Sequence, residues 1–282
     1  MTSATVSETP EGQWAVADLP PPLAPPAIVL ERVTKRFSGD GSRPAVLEDV
    51  SLTVAEGEFV CLLGASGCGK STLLSLVAGL DKPTSGTVET PAGGTALMFQ
   101  EAALFPWLTA GQNIELALKL RGVDRRDRRE ETDRLLATVH LSGQHGSRVH
   151  ELSGGMRQRV ALARALAQQA RILLMDEPFA ALDAITRDVL HEELIRVWEE
   201  TGLAVVFVTH NVREAVRLGQ RVELMSSRPG RFVRRWQVEI DGPRRIESAG
   251  VSELSKEITD DLRREIRRHA VLPAAVTAGS RS

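Results

Sequence analysis

The stretch that decides the fold is Gly64-Ala-Ser-Gly-Cys-Gly-Lys-Ser-Thr72. It matches in full the phosphate-binding pattern Gly-x-x-x-x-Gly-Lys-Ser. The glycines let the backbone wrap closely around phosphate oxygens, the lysine adds a point charge for the β- and γ-phosphates, and the serine hydroxyl is a ligand for Mg²⁺. The residues predicted to bind a nucleotide through this loop are Gly64, Ala65, Ser66, Gly67, Cys68, Gly69, Lys70, Ser71 and Thr72.

The residues on either side of this loop have the patterns of a strand and a helix. Residues 58–63 are nearly all apolar, which is typical of a buried strand, and residues 71–78 have the spacing of a helix leaving the loop. The N-terminus of such a helix adds a favourable dipole end for anions. Cys68 occupies a variable position of the loop. A passive small side chain is the favoured interpretation, and a thiolate beside Lys70 is the alternative.

A second chemical signal is the run Arg171-Ile-Leu-Leu-Met-Asp-Glu-Pro178, an apolar strand that ends in two acids. Downstream of a phosphate loop, this pattern predicts that Asp176 holds Mg²⁺ through its water shell. Glu177 lies just past the strand end, where it can take a proton from an attacking water. General-base help of this kind is typically worth about 10²–10⁴ in rate. For the dipeptide alone, the alternative is two acids that cap a sheet edge.

Two more apolar strands are expected to deliver polar side chains to the same place. Residues 203–208 lead into Thr209 and His210, and residues 95–99 lead into Gln100. Ligands of parallel α/β sheets bind at the carboxyl ends of the strands, so His210 is predicted to lie beside the γ-phosphate. The Gln100 amide is predicted to touch Mg²⁺ or the attacking water. A structural role is the alternative for both residues.

The segment Leu152-Ser-Gly-Gly-Met precedes a run, residues 156–168, whose apolar residues have helical spacing. Ser153 is a good N-cap, so an ordinary capped helix is one interpretation. A cap alone does not explain Gly154 and Gly155, because each glycine weakens a first turn by up to about 1 kcal/mol. An exposed serine with bare backbone N–H groups is also an anion site. Since the phosphate loop already holds the nucleotide of its own chain, the ligand of this second site is expected to come from another copy.

Together these motifs resemble the ATP-binding-cassette (ABC) ATPases. The resemblance rests on GASGCGKST, Gln100, LSGGM, ILLMDEP, Ala181-Leu-Asp183 and His210, in this order, and it covers about residues 28–231. It implies an α/β fold in which a P-loop NTPase (RecA-like) core carries an inserted helical subdomain and a small N-terminal antiparallel β subdomain. It also implies ATP and Mg²⁺ as cofactors and ATP hydrolysis as the activity.

The same resemblance implies roles for further residues. Ser153 and Gly155 would contact the γ-phosphate of ATP bound to the opposite subunit, and Asp183 would belong to the loop that couples the two sites. Gln100 would begin the segment that senses the transport partner. Phe37 matches the aromatic position that stacks on adenine. Many relatives carry tyrosine there, but stacking needs only a π-face and is worth about 1–3 kcal/mol per base.

Composition narrows the class of protein. The 282 residues allow one large domain or two small ones. Lysine and arginine number 35 against 37 acids, a net charge of −2, which gives no indication of a nucleic-acid partner. Two cysteines cannot form a disulfide framework, which suits a reducing cytoplasm. The sequence shows neither an apolar run of the roughly 18–20 residues of a membrane span nor the pattern of a signal peptide.

We expect three regions along the chain. Residues 1–26 hold six prolines and little apolar content, which is typical of a disordered or extended tail. Residues 27–240 are predicted to form the ATPase domain, with the helical insertion at about 102–168. Residues 241–282 are predicted to hold an amphipathic helix, at 252–269, and a tail. The helix has arginines that either face lipid head groups or form a solvated basic face, the favoured interpretation: Arg263, Arg264, Arg267 and Arg268.

The favoured function is the energising subunit of a membrane importer. Such a subunit is peripheral, lies at the cytoplasmic face of the membrane, and pairs with a second copy of itself. It contacts integral-membrane permease subunits and, indirectly, a substrate-binding protein. A soluble cassette ATPase acting on DNA or ribosomes is disfavoured, because only about eighty residues separate the phosphate loop from LSGGM and the chain holds one cassette. The alternative is an ABC ATPase of a different transporter, with another cargo or with export as its direction.

Two segments indicate a class of cargo. Residues 99–107, FQEAALFPW, and Ser227-Arg-Pro-Gly-Arg231 resemble the nitrate/sulfonate/taurine group of importer ATPases. Pro106 and Trp107 lie where this family meets its permease, so Trp107 is a candidate docking anchor. The alternative is that Trp107 covers the core of the helical insertion. We therefore expect import of a small organic or inorganic oxyanion, with sulfonates first.

Overall fold

The architecture was taken from a computed structural model that describes residues 25–37, 44–90, 94–180, 182–240, 244 and 248–270. In chain order these residues form β1 (Pro26–Lys35), β2 (Leu47–Ala55), β3 (Phe59–Gly64), α1 (Lys70–Val77), β4 (Ser85–Glu89), β5 (Thr95–Met98), α2 (Ala110–Leu120), α3 (Arg125–Thr138), α4 (Gly154–Leu166), β6 (Ile172–Asp176), α5 (Ala184–Thr201), β7 (Ala204–Val208), α6 (Val212–Leu218), β8 (Arg221–Met225), β9 (Phe232–Gln237) and α7 (Ala249–Ala270). Most of the predicted tail, residues 1–26, lies outside the described residues, although Pro26 is the first residue of β1.

A small antiparallel sheet precedes the main sheet, in the strand order β2-β1-β4. The strands β1 and β2 pair from Pro26 opposite Ala55 to Lys35 opposite Leu47, with bulges between. Apolar residues of β1 and β2 pack in one hydrophobic core with residues of β3 and α1. The predicted N-terminal antiparallel β subdomain is therefore confirmed.

In the described residues the main sheet has six strands in the order β5-β6-β7-β3-β8-β9, and of these only the edge strand β9 is antiparallel to its neighbour. The strands β3 and β7 are buried along their whole length because the sheet is covered on both faces. Leu62 and Asp176 both pair with Val208, so β3, β7 and β6 end at the same edge of the sheet. The predicted RecA-like core is confirmed.

The range predicted for the helical insertion, about residues 102–168, contains the helices α2, α3 and α4. Thr109 caps α2 in a capping box with Gln112. Asn113 is fully buried and fixes the preceding loop, because its side chain accepts from the Phe105 N–H at 2.8 Å and donates to the Thr109 carbonyl at 2.9 Å. The α4 helix begins at Gly154 and not at the predicted Met156, because the Ser153 hydroxyl caps the Met156 N–H at 3.2 Å and draws both glycines into the first turn.

The C-terminal helix α7 is longer than the predicted range 252–269. The apolar side of α7 packs on the main core through Val251 and Ile258. Arg234 of β9 holds the helix through ion pairs with Glu257, at 2.9 Å, and Asp261. The side chains of Arg263, Arg264 and Arg268 remain about two-thirds or more exposed, which both interpretations of this face require. The boundaries predicted at residues 26 and 240 stay predictions.

Within the described part of the chain, none of the helices combines the length and the apolar character that a membrane span requires.

Candidate nucleotide-binding site

The phosphate loop connects β3 to α1 and places Lys70 at the first position of the helix. The Lys70 ammonium is buried and donates to the carbonyls of Gly64, at 2.8 Å, and Ala65, at 3.2 Å. Among the described side chains, none caps the N-terminus of α1, whose cap residue is Gly69. The first N–H groups of the helix and a buried cation therefore face the same concave loop, which is the arrangement that binds phosphate.

Two glycines of the loop are required by close contacts and backbone angles. A Cβ atom on Gly69, at φ 104°, would lie 2.6 Å from Leu47 Cδ2 and 3.2 Å from the Val46 carbonyl oxygen. A Cβ atom on Gly64 would lie 2.9 Å from the Met225 carbonyl oxygen. The backbone conformation of the loop therefore requires glycine at both positions.

Cys68 lies inside the loop with its sulfur 3.7 Å from the Lys70 nitrogen. Burial raises the pKa of the Cys68 thiol, and the nearby Lys70 charge only partly opposes this effect. A thiol with a raised pKa is a poor nucleophile. The passive interpretation of Cys68 is therefore favoured over the thiolate.

Two hard oxygen donors meet beside the loop. The Ser71 hydroxyl lies close to the Asp176 carboxylate at the end of β6. Burial raises the pKa of Asp176, and hydrogen bonding from Ser71 opposes the rise. Mg²⁺ prefers oxygen ligands and usually combines one or two carboxylates with substrate phosphates and waters. The pair Ser71 and Asp176 fits that donor set, and the described residues contain no larger cluster of metal-binding side chains.

Glu177 and His210 were predicted to reach the same sheet edge, and the structure brings them into direct contact. The His210 Nδ1 atom lies 2.8 Å from Glu177 Oε2. Glu177 has left-handed backbone angles, with φ 43°, and its N–H donates to the Val208 carbonyl at 2.9 Å. This turn directs the Glu177 side chain toward the loop that follows β7. The sequence patterns gave no sign of the turn.

Gln100 follows β5 at the same edge, but its described contact is made by its backbone. The Gln158 amide nitrogen on α4 donates to the Gln100 carbonyl at 2.7 Å. Arg164, also on α4, donates to the carbonyls of Ala102, at 3.0 Å, and Ala103, at 2.8 Å. Neither side chain of α4 was predicted from the sequence. Positions six apart lie on different faces of a helix, so no periodic signal marks Gln158 and Arg164 as a pair.

Ser153 and Asp183 lie in neighbouring segments at the N-termini of α4 and α5. The Asp183 carboxylate caps α5 by accepting from the Thr186 N–H at 3.0 Å, and this bond lowers the pKa of Asp183. A Cβ atom on Gly155 would lie 2.8 Å from Thr186 Cγ2, so the first turns of the two helices pack together. Gly154 is exposed beside them. Among the described residues, no hydrogen bond or ion pair joins this surface to the phosphate loop. As the first residues of a helix, Gly154 and Gly155 have N–H groups without an intrahelical acceptor.

Phe37 follows β1 and presents an exposed ring, 61% accessible. The Lys35 ammonium lies 5.1 Å from the centre of the ring. Asp81 fixes this ammonium at 2.6 Å. The ring therefore has one face against a fixed cation, and its exposed area is available for stacking.

Comparisons with known proteins agree with this geometry. The sequence profile of a family described as ABC transporter matches residues 47–180. The chain is 46% identical to a taurine import ATP-binding protein of Chromobacterium violaceum, over 79% of this chain and 90% of that protein. It is 44% identical to a nitrate import ATP-binding protein of Synechocystis, over 73% of this chain and 80% of that protein.

A solved structure is also similar. It is the dimeric structure of a post-hydrolysis state of an ATP-binding cassette bound to ADP and Pi. The TM-score is 0.68 at 34% identity, and the alignment covers 76% of this chain and 99% of that one.

Proposed function

The chain belongs to the ABC transporter family of ATP-binding proteins and is an ATPase, and from this premise we propose that it powers a membrane importer of a small oxyanion. The observation that carries the ATPase site is the contact of Glu177 with His210 at the sheet edge beside Ser71 and Asp176. The cargo class rests on the taurine and nitrate import proteins at 46% and 44% identity. It rests also on the resemblance of residues 99–107 to that group.

ATP binds with its phosphates in the loop of residues 64–72. Lys70, now held by the Gly64 and Ala65 carbonyls, exchanges these acceptors for β- and γ-phosphate oxygens and stays in place. The remaining loop residues contribute backbone N–H groups, and the Phe37 ring stacks on adenine. Ser71 and Asp176 would hold Mg²⁺, which neutralises charge on the phosphate oxygens when bound.

Hydrolysis proceeds by attack of a water oxygen on the γ-phosphorus as the bond to the β-phosphate bridging oxygen breaks. Glu177 accepts the proton of that water. The hydrogen bond from His210 Nδ1 orients the Glu177 carboxylate, and His210 lies at the sheet edge where the γ-phosphate is expected. Gln100 contributes its amide to the attacking water or to the metal.

Two copies of the chain share each nucleotide. The outward N–H groups at Ser153, Gly154 and Gly155 contact the γ-phosphate held by Lys70 of the other copy. Asp183, packed beside them, couples the two sites. This arrangement gives the exposed first turn of α4 a ligand that its own chain does not supply.

The permease contacts the segment that follows Gln100, and this contact places the protein at the cytoplasmic face of the membrane. Phe105 and Trp107 lie next to each other there, with ring centres 5.4 Å apart, and Trp107 is 68% exposed. An exposed aromatic pair favours a docking anchor over a cover for the helical core. A substrate-binding protein delivers cargo to the permease, and no nucleic acid takes part.

Asp176→Asn is expected to stabilise the protein without nucleotide while removing the stabilisation by MgATP. Burial raises the pKa of Asp176, so the charged carboxylate lowers the free energy of unfolding at pH 7. This destabilisation disappears as the pH falls below the ordinary pKa range of aspartate, because the carboxyl is then neutral in the folded and the unfolded chain. We expect the Tm of Asp176→Asn to exceed that of the wild type at pH 7. Calorimetry at pH 7 and pH 4 checks this: an equal gain at both values, or none, contradicts it.

Deletion of the gene tests the cargo. We expect lost growth on taurine or an alkanesulfonate as sole sulfur source, or on nitrate as sole nitrogen source, with sulfate and ammonium as the matched controls. Complementation with the wild-type gene restores growth, and complementation with Glu177→Gln does not. Unimpaired growth on all three compounds, in a strain without a redundant transporter, overturns the cargo assignment and leaves the ATPase assignment intact.

A further inference from the structure

A buried carboxylate lies behind the Glu177–His210 pair and takes no part in the proposed hydrolysis. It belongs to Glu214 on α6, which is 6% exposed. One of its oxygens lies 2.6 Å from Nε2 of His191 on α5, and the other accepts a hydrogen bond from the Thr209 hydroxyl. Both partners are more deeply buried than Glu214 itself, since Thr209 is 2% and His191 1% exposed.

The contact with Thr209 fixes the loop that carries His210. The Thr209 hydroxyl accepts from the Asn211 N–H at 2.9 Å while it donates to Glu214. The Asn211 side chain in turn accepts from the N–H of Glu214 at 3.3 Å and so caps α6. His210 therefore lies between two residues that are both tied to Glu214.

The contact with His191 reaches the other partner of the pair. The His191 ring packs on Phe179, with ring centres 5.5 Å apart. Phe179 is fully buried and lies two residues after Glu177. A cavity of about 20 Å³ lies between the Glu177 and Glu214 side chains and is bordered by Thr209, His210 and Asn211. This volume has room for about one water molecule.

We propose that Glu214, with Thr209 and His191, is a positioning group that sets the distance between His210 and Glu177. One buried carboxylate holds the His210 side through Thr209 and the Glu177 side through His191 and Phe179. Because small errors in the placement of catalytic groups are costly in rate, loss of this link lowers turnover more than nucleotide affinity. The inference rests on the proposed roles of Glu177 and His210.

The link can be cut at Thr209 without a change of shape. Thr209→Val replaces the hydroxyl by a methyl group of similar size and so removes its bonds to Glu214 and to the Asn211 N–H, and Thr209→Ser keeps the hydroxyl. In the purified full-length protein with MgATP, we expect Thr209→Val to lower kcat roughly ten- to hundredfold, with KM within about twofold of wild type. Thr209→Ser is expected to recover most of the loss. Glu214→Gln is a second variant that keeps the size of the side chain and is expected to lower kcat in the same way. It replaces Thr209→Val in the test if that variant does not fold.

A double-mutant cycle separates positioning from a general loss of stability. In single-turnover measurements, Thr209→Val is expected to cost less than about twofold in the background of His210→Ala, because the residue that it positions is already absent. An equal loss in both backgrounds, or wild-type kcat in both Thr209→Val and Glu214→Gln, overturns the inference. Glu177→Gln is measured in the same assay: if it hydrolyses ATP normally, the proposed site itself fails, and if it is inactive, only the positioning role is at stake.

Discussion

Glu177→Gln is expected to lose nearly all ATP hydrolysis while it still binds ATP. An amide cannot accept the proton of the attacking water, whereas the contacts of Lys70 with the phosphates do not involve residue 177. Removal of general-base help costs about 10²–10⁴ in rate. Phosphate release and equilibrium binding of a fluorescent ATP analogue measure the two effects separately.

Two further variants make this test specific. Glu199 lies on the exposed side of α5, so Glu199→Gln makes the same chemical change at a distance from the site and is expected to hydrolyse ATP at the wild-type rate. Lys70→Ala is expected to weaken ATP binding as well as hydrolysis, because a buried cation that faces the phosphates is lost. Hydrolysis by Glu177→Gln within about tenfold of wild type would show that Glu177 is not the base.

The sequence predicted the site wherever a short motif fixes the position of a residue along the chain. The loop at residues 64–72 and the acids after β6 are of this kind, because a parallel sheet brings the carboxyl ends of its strands to one edge. His210 and Gln100 could be placed at that edge by the same rule. Its success depends on strand order, and β3, β7 and β6 are indeed neighbours in the sheet.

The contacts between these residues could not be predicted in the same way. The bond from His210 to Glu177 depends on left-handed backbone angles at Glu177, which are uncommon for a residue other than glycine. The bond from Gln158 to the Gln100 carbonyl joins residues 58 positions apart and requires α4 to lie against the end of β5. The Glu214 carboxylate joins two helices and a loop. Such contacts are set by tertiary packing, which leaves no periodic pattern in a single sequence.

The exact ends of helices could not be predicted from the sequence either. The apolar spacing predicted that α4 begins at Met156, but Ser153 is the N-cap residue and the helix begins at Gly154. The two glycines therefore lie inside the first turn, where their weakness as helix formers has to be tolerated. This placement leaves backbone N–H groups without an intrahelical acceptor next to the Ser153 hydroxyl, which is the physical basis of the proposed shared nucleotide site.

Ser153→Arg is expected to convert an ATP-bound dimer into a monomer. In the Glu177→Gln background ATP persists, so light scattering after size exclusion is expected to report twice the mass of one chain with ATP and one chain without it. An arginine at position 153 puts a long side chain where the γ-phosphate of the other copy has to approach the N–H groups of Gly154 and Gly155. Steric exclusion of the nucleotide then removes the contact that holds the two copies together.

Two control variants separate this effect from changes of charge and helix stability. Gln168→Arg adds the same charge at an exposed position two residues beyond the end of α4 and is expected to dimerise normally. Ser153→Ala removes the cap, which costs about 0.5–2 kcal/mol, without adding bulk, and is expected to dimerise more weakly than wild type but measurably. Full dimerisation of the Ser153→Arg protein would contradict a shared site. Monomers in every variant, with ATP and permease both present, would contradict the paired arrangement itself, because the outward N–H groups of α4 would then lack the ligand that explains them.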